Sequence, residues 1–362
     1  WDMVYRPTLD AAAALADGVH DHDYGGDAVK MPANYELVTA YGVTAHGKWL
    51  FNYNTETASA ADPQAFTELT DQAARAADRL KFNWTARKLL HALRFVPDKA
   101  RSFAWFGAGG PWWSDGGEGV VMTLLRNLRG RLIQVVNPDP SVYVVAAIDG
   151  TDPLNPRPAD MPQRRELVVA VFNDHASERT IELAIDAPPA AAFSGAILRR
   201  VDFPDGVPTL REESRNAEGA RDLLNLTVGP RAVVCVTYPL EGEIDLQTRA
   251  RITQHFSADL LRSVRKSAPL ETTIDIPADR LAAPKRAVLR FAAERLAEAE
   301  GEVSVNGRRY VLPRCPTPDN APMVRELPID PSGLRPRNAL VFTAVGESGY
   351  LLCTSSLIVE SE

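Results

Sequence analysis

Hydrophobic and polar positions alternate with two different rhythms along this chain, and the change falls near residue 130. Before it, helical periods alternate with short apolar runs. The stretch "TLDAAAALAD" (8–17) is rich in strong helix formers, and "GVHDHDYG" (18–25) follows as a strand end and loop. In "NYELVTAYGVTAHG" (34–47), Tyr35, Val38, Tyr41 and Ala45 recur at helical spacing, and Gly47 supplies a C-terminal stop. "KWLFNYNTETA" (48–58) reads as a strand. Asp62-Pro63 pairs an N-cap acid with a proline at the first helical position, opening a helix that should reach about Arg94, with a break near Asn83. "ARSFAWFG" (100–107) is another strand. "EGVVMTLLRNLRG" (118–130) is an amphipathic helix with Arg126 and Arg129 in its last turn and Gly130 beyond it. Strands alternating with helices predict βαβ units and a parallel sheet.

From Arg131 the period shortens to that of strands. "RLIQVVNPDPSVYVVAAIDG" suggests a hairpin turned at Asn137–Pro140, and "RRELVVAVFNDHASERTIELAID" (164–186) another, turned at "NDHASE". "FSGAILRRVDF" (193–203) and "LLNLTVGPRAVVCVTYPL" (223–240) add strands, which together predict a β-sandwich over 131–240. A second all-β unit, a sandwich of jelly-roll type, is expected over 241–362, with strands at 286–296, 302–312, 338–345 and 350–360 and a hairpin signal, "VNG", at 305–307. The expected organisation is therefore multidomain, α/β over 1–130 and all-β after it.

Composition narrows the function classes. Of the 362 residues, 45% are hydrophobic and 24% charged, the balance of an ordinary globular chain. No apolar run approaches the ~20 residues a membrane helix needs, so no membrane partner is expected. A net charge of −7 argues against nucleic acid, whose phosphates demand a basic face. Cys235, Cys315 and Cys353 are too few and too far apart for a disulfide framework or a zinc ribbon, so buried thiols, or at most one bridge, are expected. All six tryptophans fall within the first 113 residues, again separating that part from the rest.

The strand ends of the first part carry the candidate chemistry: "VHDHDYG" (19–25), "FNYNTETA" (51–58) and "FAWFG" (103–107). Alternate residues of a strand share a face, so His20, His22 and Tyr24 point one way and Asp21 and Asp23 the other. Two imidazoles on one face suit a metal of the His-x-His type, though further ligands are needed, and they suit hydrogen bonding to a sugar equally well. The other four histidines, at 46, 91, 175 and 255, stand at no recognisable strand end. Glu56 offers a carboxylate, and Asn54, two residues back, or Tyr24 offers a donor to keep it ionised. Trp112 and Trp113, in "GAGGPWWSDGGEG" (107–119), present flat apolar faces of the kind that stack on sugar rings.

In this order, His and Tyr, then Glu, then Trp, followed by a closing helix and two β-units, the chain resembles the last strands of a clan A retaining glycoside hydrolase. It is most similar to the agarase and porphyranase group, glycoside hydrolase family 86. The resemblance implies the C-terminal part of a (β/α)₈ TIM barrel over 1–130. It implies Glu56 as nucleophile and Trp105 as floor of the sugar subsite, with His20, His22, Tyr24, Asn54, Trp112 and Trp113 binding substrate. It also implies a polysaccharide substrate, an agarose- or porphyran-like galactan cut internally, an extracellular or periplasmic location, and no cofactor or resident metal.

A retaining enzyme needs a second carboxyl ~5–5.5 Å from the nucleophile. The Asn-Glu pair that supplies it in the clan does not occur before residue 56, and Asp23, Asp115 and Glu118 are the fallback acids. A full barrel also takes ~250 residues, about twice the length of this part. An upstream segment or a second chain is therefore expected to complete the barrel and bring the acid/base. The alternatives are a carbohydrate-binding or structural protein with a degenerate barrel, and a metal-dependent hydrolase built on His20 and His22.

Overall fold

The computed structural model describes residues 1, 5–24, 30–58, 71–95, 98–105, 117–128, 130–133, 135, 137, 139, 141–149, 164–242, 244, 251–296, 300–314 and 322–361. Its first part runs α1 (Tyr5–Ala12), β1 (Gly18–Tyr24), α2 (Lys30–His46), β2 (Phe51–Ala58), α3 (Asp71–Phe95), β3 (Ala100–Trp105) and α4 (Gly117–Leu125). The three strands form one parallel sheet in the order β1-β2-β3, as the alternation of periods required. Gly18 lies so close to β2 that a Cβ would stand 2.3 Å from the Phe51 carbonyl oxygen, which explains the glycine where the strand begins.

Three boundaries differ from expectation. α1 ends at Ala12, because residues 13–15 turn to deliver the chain to Gly18. α3 continues through Asn83, because Phe82, Ala86 and Leu90 repeat at four-residue spacing and are fully buried, and that packing outweighs one poor helix former. The Asp62-Pro63 start lies outside the described residues. α4 stops at Leu125, before both arginines, Arg126 and Arg129, expected in its last turn. Asn127 is buried there and accepts a bond from Arg164 Nη1 at 2.8 Å, and Gly130, at φ +82°, passes over the Ile148 carbonyl.

The second part holds β4 (Arg131–Ile133), β5 (Val142–Asp149), β6 (Glu166–Asn173), β7 (Arg179–Asp186), β8 (Ala191–Asp202), β9 (Thr209–Gly219), β10 (Arg221–Val228) and β11 (Val233–Gly242). A six-stranded antiparallel sheet, β4-β5-β6-β11-β8-β9, shares an apolar core with the pair β7-β10. The hairpin expected at "NDHASE" does not form. β6 pairs with β5 and β11, while the chain crosses to the other sheet to make β7. The burial patterns give the reason: β6 is buried on both faces and β7 on only one, so the two belong to different layers. The outer face of β5 and β6 is covered by α3 and α4, with Phe82, Leu90, Val121 and Leu124 against Tyr143, Val145 and Phe172.

The third part comprises β12 (Arg251–Phe256), β13 (Arg262–Val264), β14 (Leu270–Asp275), β15 (Pro284–Glu294), β16 (Gly301–Val305), β17 (Arg308–Val311), β18 (Met323–Ile329), β19 (Arg337–Ala344) and β20 (Tyr350–Ser361). One sheet, β12-β20-β15-β18 with β13 also on β20, and a second, β14-β19-β16-β17, enclose a common core. The hairpin at Asn306-Gly307 forms, with φ of 50° and 89° at the two turn residues, as a two-residue type I′ turn requires. Cys235 and Cys353 are free, buried thiols, each pushed up to about 12 by burial; Cys315 lies outside the described residues. Among the described residues no helix is long and apolar enough to cross a membrane.

Candidate active site

The parallel sheet brings the candidate residues to one end. β1 carries His20, His22 and Tyr24, β2 carries Asn54 and Glu56, and β3 ends on Trp105. In register, His20 stands opposite Tyr53, His22 opposite Glu56, and Thr57 opposite Trp105. Three separate motifs therefore meet at the C-terminal ends of adjacent strands, the end at which α/β folds gather reactive groups.

β2 carries an irregularity there. Asp21 pairs with Asn54 but His22 pairs with Glu56, so β2 has one extra residue, Thr55, relative to β1. On the other side β2 advances from Asn54 to Thr57 while β3 advances only from Phe103 to Trp105. A bulge of this kind interrupts the two-residue alternation of a strand.

Asn54 itself is fully buried between β2 and α2, its amide donating to Met31 Sδ at 3.9 Å. Its neighbour Asn52 is buried on the same side and donates to the Tyr35 carbonyl at 3.4 Å. Both asparagines tie the strand to the helix behind it, while Tyr53, between them, is half-buried. His20 is exposed. Trp112, Trp113 and the fallback acid Asp115 lie outside the described residues, and Glu118 falls in the first turn of α4. Among the described residues no three His, Cys, Asp or Glu side chains come together as metal ligands.

A polar constellation that sequence reading missed lies at the opposite, N-terminal end of the same strands. Glu36 of α2 and Lys99, just before β3, are both fully buried and pair at 3.2 Å. Arg290 of β15 joins Glu36 at 3.2 Å and Glu326 of β18 at 2.7 Å, and Arg94 of α3 completes the chain on Glu326. Gln254 of β12 accepts from Lys99 Nζ at 2.8 Å. Burial alone would push the Glu326 carboxyl up, but Arg290 and Arg94 outweigh it and hold it below its ordinary range. The same carboxylate, with Glu36, holds the Arg290 guanidinium above its usual value against the effect of burial. The available signal was an arginine inside the apolar run "RAVLRFAA", a position where a charge requires a partner.

No protein-family model matches the chain and no curated protein matches its sequence. Solved structures match its fold. A glycoside hydrolase family 86 protein in complex with neoagarooctaose superimposes with a TM-score of 0.75 at 16% identity, covering 99% of this chain and 60% of that one. A β-porphyranase of the same family from the human gut bacterium Bacteroides plebeius gives 0.73 at 15% identity, over 100% of this chain and 66% of that one. The chain thus spans less than two thirds of the length of either structure. At these identities the likeness is one of fold, a β-rich architecture with few helices shared along the whole chain. The matched folds are those of the group that the strand-end motifs resemble.

Proposed function

We propose that the chain is part of a retaining endo-glycoside hydrolase, with Glu56 as nucleophile and an agarose- or porphyran-like galactan as substrate. The observation that carries this reading is the register at the strand ends, which sets His22 opposite Glu56 and Thr57 opposite Trp105 within a fold matched over its whole length by such hydrolases. In the proposed mechanism the Glu56 carboxylate attacks the anomeric carbon as an acid protonates the departing oxygen; water then attacks the same carbon, breaking its bond to Glu56 and releasing the sugar. His20, His22 and Tyr24 orient the sugar, Trp105 floors it, and Trp112 and Trp113 extend the subsites. Asn54 acts as a positioning residue that fixes β2 on α2, in place of the direct sugar contact that the resemblance implies.

The three parallel strands form one wall of a (β/α)₈ barrel over 1–130, followed by β-sandwiches over 131–240 and 241–362. Among the described strands β1 and β3 each have one paired edge, and the matched structures are longer, both of which support completion of the barrel by further βα units that bring the acid/base. Action on a polymer places the enzyme in the extracellular or periplasmic space. Trapping with a 2-fluoro-substituted galactoside followed by peptide mass spectrometry tests the mechanism. The glycosyl group is expected on the peptide holding Glu56, and labelling at another carboxylate, or none, overturns the assignment. In the latter case the fold serves as a carbohydrate-binding scaffold.

A further inference from the structure

A pocket of about 200 Å³ lies between the parallel sheet and the two helices that precede and follow β1. Val19 of β1 and Asn52 of β2, partners in register, form its floor, so it sits over the joined edges of these strands. Lys30 and Asn34, one turn apart on α2, stand exposed at its mouth. Trp1 and Tyr5 make the facing wall, their rings stacked 14° from parallel at 6.2 Å. The Asn52 side chain is turned toward α2, as its bond to the Tyr35 carbonyl shows, and Asn52 precedes Glu56 by roughly 13 Å of extended strand. The pocket and the strand-end site are therefore separate.

Its polar groups await partners. Asn52 is only 3% exposed, and while its amide nitrogen donates to Tyr35, its side-chain oxygen accepts no bond among the described residues. A buried acceptor left without a donor costs about 1–3 kcal/mol, so this oxygen calls for a hydroxyl. The Trp1 indole N–H, the Lys30 ammonium and the Asn34 amide also have no hydrogen-bond partner among the described residues. Donors at the mouth and an acceptor at the floor match a ligand rich in hydroxyls, because each hydroxyl both donates and accepts. The aromatic wall between them suits the apolar face of a sugar ring. An anion would set its charge against the Asn52 oxygen, and an ammonium would set its own against Lys30. The volume lies below the ~300–1,000 Å³ of sites for drug-sized ligands, which leaves room for one ring.

We propose that this pocket between α1, α2 and the β1-β2 pair binds a single neutral hexopyranose. One ring hydroxyl donates to Asn52 Oδ1, others accept from Lys30, Asn34 and the Trp1 indole, and the apolar face of the ring lies against the aromatic pair. The assignment follows from the chemistry of the pocket and does not depend on turnover at Glu56. A bound ring touches both α1 and α2 and so ties the first helix to the second.

Saturation-transfer NMR titration of the full chain tests it, with D-galactose, D-glucose, D-galacturonate and cyclohexanol as probes. The expected result is saturable binding of one or both neutral hexoses, about tenfold tighter than of cyclohexanol and no weaker than of galacturonate. The double variant Lys30→Ala/Asn34→Ala should weaken hexose binding about tenfold, as should Trp1→Ala. The double variant should keep its thermal midpoint, because both side chains are exposed. A folded Trp105→Ala variant, altered at the strand ends, should bind hexose as before. No hexose binding, equal binding of cyclohexanol, tighter binding of galacturonate, indifference to both pocket variants, or loss of binding in folded Trp105→Ala overturns the proposal. Polysaccharide hydrolysis without hexose binding overturns this inference alone, whereas hexose binding that depends on the pocket, without hydrolysis, supports it and removes the enzymatic reading.

Discussion

His91 shows what one buried residue does to the pH response of this protein. It sits on α3, fully buried, with its ring against Phe95 and Tyr143 at 4.6 and 4.8 Å, and neither ring nitrogen has a hydrogen-bond partner among the described residues. Burial first, and then the guanidinium groups of Arg87, Arg325 and Arg94, hold its pKa well below 6.5. The unfolded chain therefore takes up a proton that the folded chain refuses. Stability from this source is intact above about pH 6.5 and falls as the pH drops below it, with a slope of at most about 1.4 kcal/mol per pH unit. In His91→Leu the dependence of the urea midpoint on pH between about 6.5 and 5 should flatten; an unchanged slope would assign the acid sensitivity to other groups. Residues of this kind are the least legible from sequence, because a helical histidine looks alike whether it faces water or a core. Asn54 makes the same point, since only the register shows that the strand is bulged beyond it.

At the scale of elements, α3 is fastened to the sheet it covers by a buried ion pair. Arg87 donates through Nε to Asp174 Oδ2 at 2.8 Å, and the Tyr143 hydroxyl donates to the same oxygen at 2.8 Å. Arg231 reaches the other carboxylate oxygen. Removing one partner leaves a buried charge uncompensated, which costs about 3–5 kcal/mol. Asp174→Ala should lower stability by that amount in urea denaturation, while Arg231→Ala, at a half-exposed site, should cost much less. Local pattern predicted the elements themselves well: the parallel sheet and the α3 and α4 helices follow from periodicity, and the Asn306-Gly307 hairpin from its turn residues. It failed where layers matter. β9, "TLREESRNAEG", is so charged that it does not read as a strand, yet it forms the edge of the six-stranded sheet, where polar side chains belong. β6 and β7 read as a hairpin because sequence proximity suggests pairing, and only their different burial assigns them to separate sheets.

Across the whole molecule, the chain Lys99–Glu36–Arg290–Glu326–Arg94 ties α2 and α3 to the third part's sheet. Glu326 has a depressed pKa, so its contribution is complete above the ordinary glutamate range and is lost as the pH falls through its lower folded value. Thermal unfolding below about pH 4 should therefore show a destabilisation that Glu326→Gln removes, and Arg290→Met should cost about 1–3 kcal/mol at neutral pH, because Glu36 keeps Lys99 and Glu326 keeps Arg94 but each loses a charged donor. The change of rhythm near residue 130 was visible in the pattern, because it needs only local periods. The ionic junction was not, because its members run from position 36 to position 326 and come together only in the fold. The central claim is that the strand ends of β1, β2 and β3 hold a glycosidase centre at Glu56. Its most direct test is reducing-sugar release from agarose, porphyran, xylan and glucan by the full-length protein and by its Glu56→Gln variant. The account predicts release from one galactan that falls on the order of 10⁴-fold in the variant, with its thermal midpoint unchanged. Release that is indifferent to Glu56, or none from any polymer, would contradict it.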